Sequence, residues 1–395
     1  MLPHELAVIG GGRWARVLIE TLCGLLSPST LISLHSKHCS ESHEAWLKAK
    51  GLINRVGVSS KFPVFERPTS AAVIVSNAAR DHKKVALFAL YSGVSVLVEK
   101  PLDLSLEGAR ELVETATERK VPLAASNVFL FAEYIYRFAN VLANRNEQFR
   151  AFKVRWVDPT LESRYGELKT FDPGLPVFLD ALPHVSSILG VLVPDAPQRC
   201  QELRLLNGGA QVELQLALGN IPCHVVLARN GRRRERSIEV TLNRNAVSLD
   251  FTVEPGTIID TGVSANADPD WFARSRPLEL MLGTFLQLTA TGKFDRRISV
   301  EPALCACALS DQVLRFYNSA LASWLTTRLT IPEEDEHLRY ALNEILQSDG
   351  PLAPTVLEHQ REKLKVMFSK STERDWIPRL VACTNRRAIL KAMDL

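Results

Sequence analysis

Short apolar runs alternate with amphipathic stretches over the first third of the chain. Leu6-Ala7-Val8-Ile9 has strand character and is followed by Val17, Leu18, Thr21 and Leu22 at helical spacing. The pattern repeats: strands are predicted at 31–34, 71–76, 94–98 and 121–129, and helices at 84–91 and over Ala109, Leu112, Val113 and Ala116. Such alternation predicts an α/β domain with a doubly wound parallel sheet, ending near residue 130. Beyond it, strands are predicted at 152–157, 202–206, 211–218, 224–229, 237–242 and 246–253. Asn207-Gly208-Gly209, Gly219-Asn220 and Asn230-Gly231 supply turns between them. With a helix near 180–191 and helical runs at 277–291 and 302–321, this predicts an α+β domain over 131–330 with an open, mostly antiparallel sheet. Residues 331–395 are amphipathic, with Glu333, Glu334 and Asp335 opening a helix, and are expected to form a helical extension of unassigned role.

Composition removes classes more than it names one. Of 395 residues, 46% are hydrophobic and 23% charged, and 47 basic residues stand against 44 acidic, so no bulk charge recruits nucleic acid or an anionic membrane. No uncharged run reaches the roughly 18 apolar residues of a membrane span, and the start lacks the basic segment and cleavage site of a signal peptide. Seven scattered cysteines suit a reduced protein, and a cytoplasmic one is expected. Arg232-Arg233-Arg234-Glu235-Arg236 follows a turn signal and reads as a charged hairpin end.

The chemistry starts at Gly10-Gly11-Gly12-Arg13-Trp14-Ala15, a G-x-G-x-x-A turn between strand and helix. Gly10 allows the tight turn, Gly12 lets a pyrophosphate approach the backbone, and Ala15 permits close helix–strand packing; the helix N-terminus attracts phosphate. The second strand runs into His35-Ser36-Lys37-His38, where an NAD-specific protein normally carries a carboxylate for the ribose 2′-hydroxyl. A hydroxyl and an ammonium there suit a 2′-phosphate, so NADP(H) is expected over NAD(H). His35, His38, Cys39 and His43 crowd this corner, but no matching ligand pair follows at a recognised spacing, and no metal is expected.

Further on, Asn77-Ala78-Ala79-Arg80-Asp81-His82 follows a strand, and Glu99-Lys100-Pro101 ends the next. Asp180-Ala181-Leu182-Pro183-His184 places an acid and an imidazole four apart, on one face of a helix. With Asp180 as N-cap, Pro183 would fall in the first turn, where a missing N–H is harmless. Together with the glycine turn, these motifs resemble the glucose–fructose oxidoreductase / inositol dehydrogenase / MocA family over about residues 5–330. The resemblance implies a Rossmann domain followed by a substrate domain, with Lys100 and His184 facing substrate beside the nicotinamide and Asp180 alongside. Gly10, Gly12, Arg13, Trp14, Ala15, Ser36, Lys37, Asn77, His82, Glu99 and Lys100 are then expected around the cofactor. Asn127, at the end of the last strand of the first domain, and Arg164, Tyr165 and Lys169, on the loop before the motif helix, are candidates for substrate contact.

The residue chemistry agrees with those roles: an imidazole exchanges a proton near neutrality, and a lysine stabilises negative charge developing on a reacting oxygen. The bulkier, more apolar run Leu175-Pro176-Val177-Phe178-Leu179 before the motif and Pro183 within it depart from the family and reshape the substrate side. The reading is an NADP(H)-dependent oxidoreductase acting on a hydroxyl or carbonyl carbon of a small molecule, a sugar, cyclitol or related polar metabolite. A C=N reductase and a non-catalytic NADP-binding sensor are the alternatives. A homodimer or homotetramer is the assembly the resemblance implies.

Overall fold

The apolar runs of the first third become strands β1 (Glu5–Ile9), β2 (Leu31–His35), β3 (Val56–Ser59), β4 (Ala71–Val75), β5 (Ser95–Val98) and β6 (Leu123–Ala125). The computed structural model describes residues 3–37, 40–160, 162–164, 166–169, 171–172, 175–206 and 209–328. The six strands pair in parallel in the order β3-β2-β1-β4-β5-β6. Every residue of β4 and β5 is buried, as in a sheet covered on both faces. Helices α1 (Arg13–Leu25), α2 (Ser40–Ala49), α3 (His82–Tyr91) and α4 (Leu106–Arg119) make the crossovers. The strand order reverses between β1 and β4, and the crevice at their carboxyl ends is where such sheets bind ligands.

After α5 (Glu133–Asn144) comes β7 (Ala151–Pro159), then the small hairpin β8 (Ser163–Arg164) and β9 (Glu167–Leu168), and the motif helix α6 (Val177–Leu192). Seven strands follow: β10 (Gln198–Leu206), β11 (Gln211–Leu218), β12 (Ile221–Gly231), β13 (Glu235–Thr241), β14 (Ala246–Asp250), β15 (Thr257–Asp260) and β16 (Val263–Asn266). With β7 they form an eight-stranded sheet, β10-β11-β12-β7-β13-β14-β15-β16. All its pairs are antiparallel except β7 with β12. Buried Phe152, Val154 and Trp156 alternate with more exposed neighbours along β7, the period of two that one covered face requires. Helices α7 (Pro277–Thr291) and α8 (Glu301–Arg328) close the described chain.

By internal packing the chain forms two units. One comprises residues 1–139, 186–194 and 268–308; the other comprises 140–185, 195–267 and the segment from Leu309. In the first, Met281, Leu282 and Phe285 of α7 join Leu18, Ile19 and Leu22 of α1 on one face of the parallel sheet. On the other face α3 and α4 pack with Ala303 and Cys307 of α8. The run 277–291, expected among the closing elements of the second domain, thus helps build the core of the first.

Several local expectations change. The predicted strand 121–129 shrinks to β6, and Val128–Phe131 forms a 3-10 turn. Asn230-Gly231 is no turn but the end of β12, where the register shifts against β7. A Cβ on Gly231 would stand 2.3 Å from Val157 Cγ1, so the glycine serves close strand approach. The basic run is only partly a solvated end: Arg234 and Arg236 turn inward onto acids, Arg236 with 2% of its surface exposed. The motif helix starts at Val177, so Asp180 lies inside its first turn and Pro183 is interior, leaving the Leu179 carbonyl without its usual i+4 donor. Tyr165 and the extension 331–395 lie outside the described residues.

Candidate active site

In the first unit, Gly10 is buried at the end of β1 with φ +157°. A Cβ there would lie 2.6 Å from the Ser76 carbonyl oxygen, so only glycine lets β1 and β4 approach this closely. Gly12, the N-cap of α1, has the opposite environment: no atom lies within 4 Å of its Cβ position. The first turn of α1 carries no acidic residue and no side-chain cap, so its N–H groups face this open space uncapped. Ala15 is fully buried and lets the helix lie on the sheet. Arg13 and Trp14 are half-buried on the same first turn.

Beside the turn lies a cleft with a volume of about 250 Å³, lined among others by Gly10, Gly11, Ser36, Lys37, Lys61, Asn77 and Lys84. Ser36 and Lys37 leave the end of β2 as the sequence implied, and β2 ends without a carboxylate; Asp81, from the turn after β4, is the acid on the wall. Lys61 and Lys84 were not foreseen. Lys61 follows β3, whose Val-Gly-Val-Ser run is too short and too weakly apolar to announce a strand. The buried His35 accepts from Ser33 Oγ at Nε2 (2.8 Å) and donates from Nδ1 to the Lys61 carbonyl (2.6 Å), which ties the exits of β2 and β3 together. Burial outweighs that bond and lowers its pKa, keeping the ring neutral beside the lysines. Asn77 Oδ1 is buried without a hydrogen-bond partner among the described residues.

These observations fit a dinucleotide. A cradle open at Gly12, an uncapped helix N-terminus, three lysines on the cleft and an orphaned amide oxygen at its wall are what a diphosphate and a ribose hydroxyl would satisfy.

His82 and Glu99 support the walls rather than lining them. His82 is 1% exposed, its Nδ1 is 2.7 Å from the Pro101 carbonyl and its Nε2 3.2 Å from the Asn77 carbonyl, so it pins two loops at the sheet edge. Burial lowers its pKa against those two carbonyls, with Lys100 adding to the lowering. Glu99, 5% exposed, accepts from Ser126 Oγ (2.8 Å) and from the Lys100 backbone N–H (3.3 Å). Half-buried Lys100 therefore leaves β5 from a backbone anchored by a buried acid. Asn127 is buried and donates from Nδ2 to the Ser299 carbonyl (3.0 Å), which commits its amide to a loop of the same unit.

Burial raises the Glu99 carboxyl above the usual carboxylate range despite the bonds from Ser126 Oγ and the Lys100 N–H. The folded chain then holds this proton more tightly than the unfolded chain. Its contribution is most favourable below the unfolded value of about 4.3 and is lost as pH rises through the folded value. Glu99→Gln keeps both bonds if its oxygen accepts from Lys100 N–H and its NH₂ donates to Ser126 Oγ. The variant is expected to melt above the wild type at pH 8, with the two converging near pH 4.5; equal differences at both pH values would contradict a raised Glu99.

The second unit carries the other motif. Asp180 and His184 are half-buried on α6. The imidazole stacks on the Trp156 indole of β7, with centroids 5.2 Å apart and planes inclined by 23°. Arg236 lies over the same indole at 4.1 Å and donates to Val157 O, Glu235 O and Asp158 Oδ1. Lys169, a substrate candidate, is already paired: its Nζ lies 2.6 Å from Asp158 Oδ2 and 3.5 Å from Glu162 Oε2. Burial lowers its pKa, opposed by Asp158 and, more weakly, by Asp180. Arg164 sits half-buried in β8. Buried Arg229 donates to the carbonyls of Asp172 (3.1 Å) and Leu175 (2.5 Å) and so clamps the approach to α6. Nothing in the pattern singled out Trp156, which reads as an ordinary inward position of a strand. Among the described residues no group of three or more His, Cys, Asp or Glu could hold a metal ion, and no helix is long and apolar enough to cross a membrane.

A parallel sheet of order 3-2-1-4-5-6 with a glycine turn and a basic cleft at its switch point defines a dinucleotide-binding protein. Residues 5–126 match the family model GFO_IDH_MocA, an oxidoreductase family with an NAD-binding Rossmann fold. That match covers the first domain alone, and it supports an NAD(P)-dependent oxidoreductase. No curated protein matches the sequence. Among solved structures, UDP-N-acetylglucosamine 3-dehydrogenase GnnA from Acidithiobacillus ferrooxidans is similar at 20% identity and TM-score 0.61, over 80% of this chain and 98% of that one. KijD10, a 3-ketoreductase from Actinomadura kijaniata in complex with TDP-benzene and NADP, is similar at 18% identity and TM-score 0.63, over 78% and 96%. A probable dehydrogenase from Thermotoga maritima gives 16% and 0.60, over 80% and 97%. At these identities the likeness is one of fold.

Proposed function

We propose that the protein is an NADP(H)-dependent oxidoreductase that interconverts a hydroxyl-bearing carbon and a carbonyl in a sugar, cyclitol or related polar metabolite. The carrying observation is the cleft beside the glycine turn, where Ser36 and Lys37 leave β2 in place of a carboxylate and Lys61 stands on the same wall. Two ammonium groups and a hydroxyl there favour a 2′-phosphate, which a carboxylate would repel. The named activities of the similar structures, a sugar-nucleotide 3-dehydrogenase and a 3-ketoreductase with NADP, support a sugar-type substrate.

The bound nicotinamide supplies or accepts the hydride. Lys100 hydrogen-bonds the reacting oxygen and stabilises negative charge on it as the carbonyl is reduced. An imidazole nitrogen of His184 gives that oxygen its proton, or takes it in the reverse direction. Asp180, one turn earlier on the same helix, favours the protonated imidazole electrostatically. Gly10, Gly12, Arg13, Trp14 and Ala15 form the diphosphate turn, Asn77 meets a ribose hydroxyl, and His82 and Glu99 keep the loops around Lys100 in place.

A charge-assisted hydrogen bond is worth about 1.5–3 kcal/mol, or roughly tenfold or more in affinity. The double variant Lys37→Ala/Lys61→Ala is therefore expected to weaken NADPH binding by about a hundredfold while NADH binding changes little, measured by calorimetric titration. Equal loss for both cofactors, or none for either, would remove the basis for NADP selection at this corner.

A further inference from the structure

Two interactions reach the D-x-x-x-H face of α6 from outside the helix, and both trace back to one carboxylate. Asp158, near the end of β7, binds Lys169 through Oδ2 and Arg236 through Oδ1. Along one branch, the Arg236 guanidinium lies over the Trp156 indole, and the His184 ring stacks on that same indole. Along the other, the Lys169 ammonium lies within electrostatic reach of Asp180.

We infer that Asp158 is the positioning residue of this motif, fixing the His184 imidazole through Arg236 and Trp156 and the charge that faces Asp180 through Lys169. The inference rests on the assignment of His184 as the proton-handling group above. Burial pushes the Asp158 carboxyl up, yet Lys169 and Arg236 outweigh it and hold the pKa below its ordinary value, so Asp158 is ionised throughout the neutral range. Burial pulls Arg236 down to about 10 even with Asp158 opposing it, the mark of a guanidinium taken well out of water. A group of buried charges is a costly way to fill space, since apolar side chains of similar volume do as well or better. Placed beside a proton-handling ring, it fixes geometry and local potential together.

The charged groups linked to this motif through Asp158 and Lys169 comprise three acids and three cations. Asp180 lies on its own helix, Asp158 on β7, Glu162 and Lys169 on the segment carrying the small hairpin, and Arg234 and Arg236 at the start of β13. Removing one of these acids leaves an excess of positive charge and disfavours imidazolium; removing one cation does the reverse.

The test is histidine-selective proton–carbon NMR of the full chain, with His184 identified among nine histidines as the signal lost in His184→Gln. In the wild type its ring protons are expected upfield of their unfolded position, because the indole ring current acts on a stacked neighbour. Trp156→Phe should retain that displacement and Trp156→Leu should lose it. Asp158→Asn should lower the His184 pKa by about 0.5 pH unit and shrink the displacement, whereas Lys169→Gln should raise the pKa. A wild-type ring at its unfolded position would overturn the inference. So would a His184 that titrates in Asp158→Asn or Lys169→Gln as in the wild type. Should one of those two variants fail to fold, the other and the wild-type displacement still decide. Because the readout needs no substrate, a wild type that turns over no carbonyl would count against the proposed function and leave this result standing.

Discussion

Lys100→Ala is expected to lower turnover by roughly 10²–10⁴-fold, the range of a lost proton-transfer or oxyanion-stabilising group, while NADPH binding stays within about threefold of wild type. The asymmetry follows from where the lysine sits. Its backbone is anchored by Glu99 and the neighbouring loops by His82, so truncating the side chain leaves the β5 exit intact. What is lost is the ammonium that would meet the reacting oxygen. Lys100→Arg keeps a donor but not its reach, and should recover only part of the rate. Stopped-flow oxidation of NADPH, with binding measured separately, distinguishes the outcomes. Unchanged turnover in Lys100→Ala would remove Lys100 from the chemistry, and a parallel loss of NADPH affinity would make it a binding residue instead.

Gly10→Ala is the second large effect. Its Cβ would meet Ser76 O at 2.6 Å and Ser76 C at 2.7 Å, both backbone atoms, at φ +157°. Neither contact can be relieved by rotating a side chain, so β1 and β4 must separate. Dinucleotide affinity is expected to fall by more than about a hundredfold, some 2.7 kcal/mol, together with a clear drop in melting temperature. Gly12→Ala provides the contrast. No protein atom lies within 4 Å of its Cβ, so the fold should melt near the wild-type temperature while affinity falls, because the methyl group occupies space left for the diphosphate. A Gly12→Ala protein that bound NADPH as well as wild type would contradict the placement of the diphosphate at this turn.

The first unit was legible in the sequence because β1, β4 and β5 are buried almost throughout and appear as apolar runs, with a glycine where β1 must approach β4. Ser36 and Lys37 could be read from their offset after β2. Lys61 could not, since it depends on a four-residue strand holding a glycine and a serine. In the second unit the meander was visible from its turns, but Asn230-Gly231 misled, because a glycine required by a strand crossing resembles one required by a turn. The arginine run misled for a related reason. Composition shows charge but not direction, and in a strand alternate residues face opposite ways, so Arg236 enters the interior while Arg233 stays outside. Asp158, Trp156 and Arg236 become a group only through the register of β7 against β13, in which Trp156 pairs with Arg236. His82 and Glu99 were recognised as motif residues, but their burial, which makes them supports, is a tertiary fact.

The most direct measurement is transfer of deuterium from nicotinamide C4 of labelled NADPH to product, followed by mass spectrometry. The panel holds keto sugars, free and nucleotide-linked, keto-cyclitols and cyclic imines. The expected result is one deuterium on the carbinol carbon of a sugar-type product, transferred from a single face of the nicotinamide and lost in Lys100→Ala. Label appearing only in amine products, or no transfer to any member from a wild type that binds NADPH tightly, would contradict a hydroxyl–carbonyl oxidoreductase.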